Sequence, residues 1–135
     1  MQNLSAKYGK TLNLDKLTSY CPGCGHGIVT RLVAEAIETL GIRERAIAIV
    51  GIGCGGFSHH YMDVDAIEAT HGRSPSFAVG YKLCRPDNIV FTYCGDGDSC
   101  AIGLGDLMHA ANKGMPITSI MVNNSVLGMT GGQMS

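Results

Sequence analysis

Apolar positions in this chain come in short blocks, and their spacing changes from block to block. Over residues 27–40 they recur with a helical period. Ile28, Leu32, Ala36 and Leu40 fall on one stripe, with Val33 and Ile37 beside it, while Arg31, Glu35 and Glu38 lie off it. Gly41 is a stop signal. The pattern predicts an amphipathic helix with that apolar stripe in the core. Residues 46–50 are an unbroken apolar run, a short buried strand that runs into Gly51-Ile52-Gly53-Cys54-Gly55-Gly56. Residues 57–70, with His59, His60, Asp63, Asp65 and Glu68, keep no period and match no metal template, so they read as solvated polar residues or an interface. A helix is expected over 74–83, opening at Ser-Pro and ending before Pro86.

Residues 88–131 organise the rest. The apolar run 89–93 predicts a buried strand that stops at Gly95-Asp96-Gly97-Asp98. A helical pattern follows through Ile102, Leu104, Leu107, Met108 and Ala111, and Gly114 and Pro116 end it. A second strand, 117–122, runs into Asn123-Asn124. A parallel β-α-β unit puts both strand ends on one edge of the sheet, where open α/β sheets bind ligands. Residues 1–20 read as an extended arm that Leu4, Leu12, Leu14 and Leu17 would pin to this domain or to a partner.

The chemistry of that edge follows from its residues. Gly95 and Gly97 let backbone approach a ligand closely, and the free N–H groups of the following helix suit a phosphate. Asp96 would repel a phosphate unless a divalent cation lay between them. Mg²⁺ takes carboxylate, amide, carbonyl and diphosphate oxygens together, and Asn123 or Asn124 offers the amide. The edge therefore reads as a Mg²⁺-diphosphate site. The competing reading is a glycine-rich turn with a capping Asp98.

Composition narrows the setting. A length of 135 residues suits one domain, 1–135, and a 45% apolar content supports a core. A net charge of −1 gives no nucleic-acid footprint. No run is long enough to span a membrane, and the N-terminus lacks an apolar signal region, so a cytoplasmic protein is expected. The chain stops at Gly131-Gly132-Gln133-Met134-Ser135, straight after the ligand loop. That ending suggests the N-terminal part of a longer polypeptide, with the site half walled.

Six cysteines are many for a protein of the cytoplasm, where clustered thiols read as metal or redox residues. Cys21-Pro22-Gly23-Cys24-Gly25-His26-Gly27 is a tight turn that aims two sulfurs at one point. A zinc knuckle and an Fe–S cluster each need further ligands, and a thioredoxin-like pair needs a preceding strand. His26 reads equally as a cap, a substrate contact or a ligand. Cys54 ends a strand on the ligand edge, where it could join Cys21 and Cys24. Cys84, Cys94 and Cys100 read as small core residues.

C-P-G-C-G-H-G at 21–27, G-I-G-C ending at Cys54, His71-Gly72-Arg73, G-D-G-D at 95–98, and Asn124 at a spacing of 124 − 96 = 28 occur in that order. Together they resemble the thiamine-diphosphate-binding β subunit of the 2-oxoacid:ferredoxin oxidoreductases, over essentially the whole chain. The resemblance implies an α/β, three-layer α-β-α fold with a mostly parallel sheet, truncated at the C-terminus. It implies that Asp96, Asn124 and the Val126 carbonyl hold Mg²⁺. It brings Gly53, Cys54, His71, Gly72, Gly95, Gly97, Asp98, Gly128, Met129 and Thr130 to the cofactor. Cys21, Cys24 and Cys54 would ligate a [4Fe–4S] cluster whose fourth ligand lies beyond these residues. None of Glu35, Glu38, Glu44 and Glu68 can be assigned to activating the cofactor, and the resemblance implies that this Glu belongs to a partner α subunit or domain. The implied reaction is oxidative decarboxylation of a 2-oxo acid, with coenzyme A taking the acyl group and ferredoxin the electrons. Gly128-Met129-Thr130-Gly131-Gly132-Gln133 resembles the 2-oxoglutarate and branched-chain members more than the pyruvate members, and 2-oxoglutarate is the favoured substrate. A non-oxidative thiamine decarboxylase or synthase would leave the cysteines unused. A non-enzymatic zinc or Fe–S module would leave Asp96 and Asn124 unused.

Overall fold

A computed structural model describes residues 10–135. Its frame is a four-stranded, wholly parallel sheet in the order β2-β1-β3-β4, with β1 at Ala46–Val50, β2 at Asp65–Glu68, β3 at Ile89–Gly95 and β4 at Ile117–Val122. All five residues of β1 are buried, as a strand covered on both faces requires. On one face Ala46, Ala48, Val50, Phe91 and Tyr93 pack with Ala34 and Ile37 of helix α1, Gly25–Leu40. On the other, Ile47, Ile49 and Val90 pack with Ala78 of helix α2, Ser74–Cys84, beside which lies α3, Leu104–Asn112. This is the expected three-layer α-β-α architecture. A short antiparallel hairpin, β5 (Val126–Leu127) with β6 (Gln133–Met134), follows β4.

Three expectations need correction. The buried face of α1 is His26, Thr30, Ala34 and Ile37, whereas Ile28, Leu32 and Leu40 are exposed. The helix carries two apolar stripes, and the one with small residues and a histidine fits under Tyr93. Residues 57–70 are not all solvated: residues 54–60 form a 3-10 turn, and Asp65–Glu68 is the edge strand β2. Its charged ends hid it, because an edge strand with one covered face needs few apolar residues. The helix after β3 does not start as an α-helix. Gly97–Ile102 is a π-turn, closed by the Gly103 N–H donating to the Asp98 carbonyl at 2.9 Å. Ile102 belongs to that turn.

Of the arm, the part beyond residue 10 is docked at Thr11–Asn13. Asn13 N–H donates to the Tyr61 carbonyl at 2.9 Å and Asp63 N–H to the Thr11 carbonyl at 2.7 Å. Leu12 packs on the core, but Leu14 is exposed and Leu17 almost wholly so. Leu4 lies outside the described residues. Cys94 is buried, while Cys84 and Cys100 are exposed rather than core. Among the described residues no helix is long and apolar enough to cross a membrane.

Candidate functional site

After β1 the chain turns to β2 on one side of the sheet, and after β2 it returns to β3 on the other side of β1. The loops leaving β1 and β3 therefore part from each other at their carboxyl ends. Open α/β sheets place their ligand crevice at such a switch point. A cavity opens there. It is lined by Gly53, Cys54 and Gly55 after β1, by Gly95, Gly97 and Asp98 after β3, and by Asn124 and residues 126–130 after β4, with His71 and His26 at its sides.

Each loop is shaped by a close approach. Gly72 has φ +76°, and the backbone at Gly72 lies directly on the π-turn. A Cβ at Gly103 would meet the carbonyl oxygens of Asp98 and Gly72, each at 2.6 Å. Asp98 is buried; its Oδ1 accepts the Gly72 N–H at 2.9 Å and bonds His71 Nδ1. At Gly53 and Gly95 an added Cβ would meet nothing within 4 Å, so both positions leave room along the cavity wall.

Most sequence-predicted residues lie on this one cavity. Gly72 supports it from behind through Asp98. Cys21 and Cys24 lie off it, and so does Asp96, which sits at the head of the π-turn and lines the neighbouring cleft with Asn123, Ser125 and Ser135. Its Oδ2 accepts the Ser135 hydroxyl at 2.5 Å, and its Oδ1 is buried without a partner. Burial pushes the Asp96 carboxyl up. The Ser135 hydroxyl and the backbone N–H groups of Asp96, Asn124 and Ser125 outweigh that and hold it below its ordinary value. Asn124 Oδ1 accepts the Val126 N–H at 3.2 Å, which leaves the amide oxygen a second lone pair. An orphaned carboxylate oxygen and an amide oxygen with a spare lone pair are of the donor type that suits a hard divalent ion. Sequence reasoning placed Ile52 and Gly55 only as members of the glycine-rich loop, passed over Leu127, which carries no chemical signal, and left His26 undecided.

His26 is buried, its ring 5.4 Å from Tyr20 in a stack and its Nδ1 3.4 Å from the Tyr93 hydroxyl. Burial pushes its pKa down, against the pull of Asp96. It is thus both a packing residue and part of the cavity wall. Cys54 lines the cavity. Burial pushes its thiol up, and the nearby Cys24 and Cys21 thiols add to this. Cys21 is exposed and Cys24 half-buried, with Cys24 N–H closing the turn on the Cys21 carbonyl at 2.9 Å. Among the described residues no three His, Cys, Asp or Glu side chains converge on a single metal ion.

Residues 46–135 match the family described as thiamine pyrophosphate enzyme, C-terminal TPP binding domain. The chain belongs to that family. The similar proteins include named subunits of 2-oxo acid oxidoreductases and synthases. The chain is 46% identical over 118 residues to the ketoisovalerate oxidoreductase subunit VorA of Methanothermobacter thermautotrophicus, covering 87% of this chain and 25% of that one. It is 38% identical over 133 residues to the 2-oxoglutarate synthase subunit KorB of Archaeoglobus fulgidus, covering 98% and 50%. The solved 2-oxoglutarate:ferredoxin oxidoreductase from Magnetococcus marinus, with 2-oxoglutarate, coenzyme A and succinyl-CoA bound, superposes with a TM-score of 0.90. It is 35% identical, over 100% of this chain and 46% of that one. The chain thus spans between a quarter and half of the length of these relatives.

Proposed function

We propose that this chain is the thiamine-diphosphate-binding part of a 2-oxoacid:ferredoxin oxidoreductase β subunit, working in the cytoplasm with an α subunit. The observation that carries this reading is the convergence of the β1, β3 and β4 loops on one cavity at the switch point, in a chain of the thiamine pyrophosphate family. In this reading Asp96, Asn124 and the Val126 carbonyl hold Mg²⁺ against the diphosphate of the cofactor. Gly53, Cys54, His71, Gly72, Gly95, Gly97, Asp98, Gly128, Met129 and Thr130 surround the cofactor. Cys21, Cys24 and Cys54 hold a [4Fe–4S] cluster, with a fourth ligand from elsewhere in the polypeptide.

When bound, thiamine diphosphate supplies a carbon nucleophile and an electron sink for decarboxylation. The work of this chain is placement. The β1 and β3 loops leave open wall at Gly53 and Gly95 for a flat ligand. Leu127 lies over Gly97, and with Met129 it gives the cavity an apolar side that excludes water. Cys54 lines the cavity and feels the Cys24 and Cys21 thiols, so in this reading a cluster held by the three would stand next to the cofactor. Glu35, Glu38, Glu44 and Glu68 all lie off the cavity, which supports an activating carboxylate supplied by the α subunit.

The favoured substrate is 2-oxoglutarate, on the Gly128–Gln133 loop and on the likeness to 2-oxoglutarate synthase subunits. A branched-chain 2-oxo acid is the second reading, favoured by the 46% identity to the ketoisovalerate subunit. The test is the native, anaerobically purified complex, offered pyruvate, 2-oxoglutarate or 2-oxoisovalerate with coenzyme A and a low-potential dye. Reduction with 2-oxoglutarate supports the first reading and with 2-oxoisovalerate the second. Silence with all three, in a preparation retaining thiamine diphosphate and iron, refutes the oxidoreductase reading.

A further inference from the structure

Behind the cavity lies an arrangement that the placement of the cofactor does not itself require. The Asp98 side chain is 2% exposed, and it meets two donors on one oxygen. The Gly72 N–H reaches Oδ1 at 2.9 Å, and His71 Nδ1 bonds the same atom. Oδ2 has no partner and lies against Gly51, where any Cβ would collide with it. The sequence therefore clears space for this carboxylate and then spends it on one histidine. A backbone N–H can only donate, so Oδ1 is an acceptor, and in a neutral ring the proton of His71 sits on Nδ1. Nε2 is then the bare nitrogen. His71 also lines the cavity, with its side chain 37% exposed, while Asp98 holds the ring from its buried side. The backbone is held as well, through the contact of Gly72 with Gly103.

We propose that Asp98 is a positioning residue that locks His71 in the Nδ1–H tautomer, so that Nε2 accepts a hydrogen bond from an N–H, O–H or S–H donor of the molecule bound in the cavity. The identity of that molecule rests on the function proposed above. The donor belongs either to the amino group of the cofactor or to coenzyme A. Without the carboxylate the ring would divide between tautomers, and part of the population would present a donor where an acceptor is needed.

The test uses the complex containing the full subunit, labelled with ¹⁵N at histidine, the His71 signals being assigned by their loss in His71→Gln. The expected spectrum has Nδ1 protonated and Nε2 bare. In Asp98→Ala the carboxylate that accepts from Nδ1 is gone. The ring should then divide between the two tautomers, and kcat/KM should fall about tenfold or more. A parallel loss of thiamine-diphosphate affinity places the donor on the cofactor. A rise in KM for coenzyme A alone places it on coenzyme A. His71 is partly exposed, so its own variants provide a second test that does not depend on the buried carboxylate. Gln reaches the Nε2 position and Asn only that of Nδ1, so His71→Gln should keep more activity than His71→Asn. A protonated Nε2 in the unsubstituted protein, mixed tautomers in Asp98→Ala with kcat/KM unchanged, or Asn equal to or better than Gln would each overturn the assignment. The tautomer is read without turnover. A complex that keeps the Nδ1–H form but oxidises no 2-oxo acid would refute the enzyme reading and still support the link between Asp98 and His71.

Discussion

Gly95 pairs with Val122 across the parallel β3–β4 ladder, so both strands leave the sheet at the same height. Asp96 and Asn123 are the next residues on each strand. The backbone N–H groups of Asn124 and Ser125, in the first turn of the β4 loop, help to hold the Asp96 carboxyl below its ordinary value. Two short motifs far apart in the sequence are thus made neighbours by register alone.

Gly51 stands where Asp98 needs space. In Gly51→Ala the new methyl would run into the Asp98 carboxylate and press on the Cys94 sulfur, 3.0 Å away. Overpacking of this kind costs about 1–3 kcal/mol. A denaturant titration of the full-length protein should show the loss as a lower midpoint with an unchanged slope.

His26 supplies a pH test. Burial depresses its pKa, so the unfolded chain takes up a proton near pH 6.5 while the folded chain does not. Where the unfolded state binds more protons, stability rises with pH. The contribution of His26 is therefore fully present above about pH 6.5 and is lost as the pH falls from there through the folded pKa. Thermal melts between neutral and mildly acidic pH should show a steeper decline for the unsubstituted protein than for His26→Gln, whatever the starting stability of the variant.

The cysteines should divide into reactive, inert and ligating groups. Burial pushes the Cys94 thiol up to about 12, and only the thiolate is a nucleophile. An alkylating reagent should reach Cys84 and Cys100 in the native protein and Cys94 only after denaturation, as read by peptide mass spectrometry. Cys54→Ser should lower the iron and sulfide content of the complex. Cys94→Ser should leave both unchanged.

The central β-α-β unit was legible because its signals are strong and local. Residues 46–50 and 117–122 gave strands with the observed bounds, since unbroken apolar runs between glycine or proline signals have few other uses. The inner face of α1 was not legible. Ile28 and Leu32 are larger and more apolar than Thr30 and Ala34, yet the smaller residues face the sheet, because the space under Tyr93 is set by the opposite layer. The edge strand β2 was hidden by Asp65 and Glu68, and the π-turn after β3 has no sequence signal of its own. At the site, the gathering of Gly53, Gly95, Asn124 and Gly128 on one cavity follows from their places at strand ends. The turning of Asp96 toward Ser135 depends on the β5–β6 hairpin, which no motif announces.

The most direct measurement is titration of thiamine diphosphate into the cofactor-stripped complex, with and without Mg²⁺, for the native sequence and for Asp96→Asn. Asp96 has a buried carboxylate oxygen with no partner, so the amide should fold but lack the charge that holds the ion. The expected result is saturable, Mg²⁺-dependent binding that weakens about a hundredfold or more in the variant. Binding that is indifferent to both Mg²⁺ and residue 96 would contradict the account.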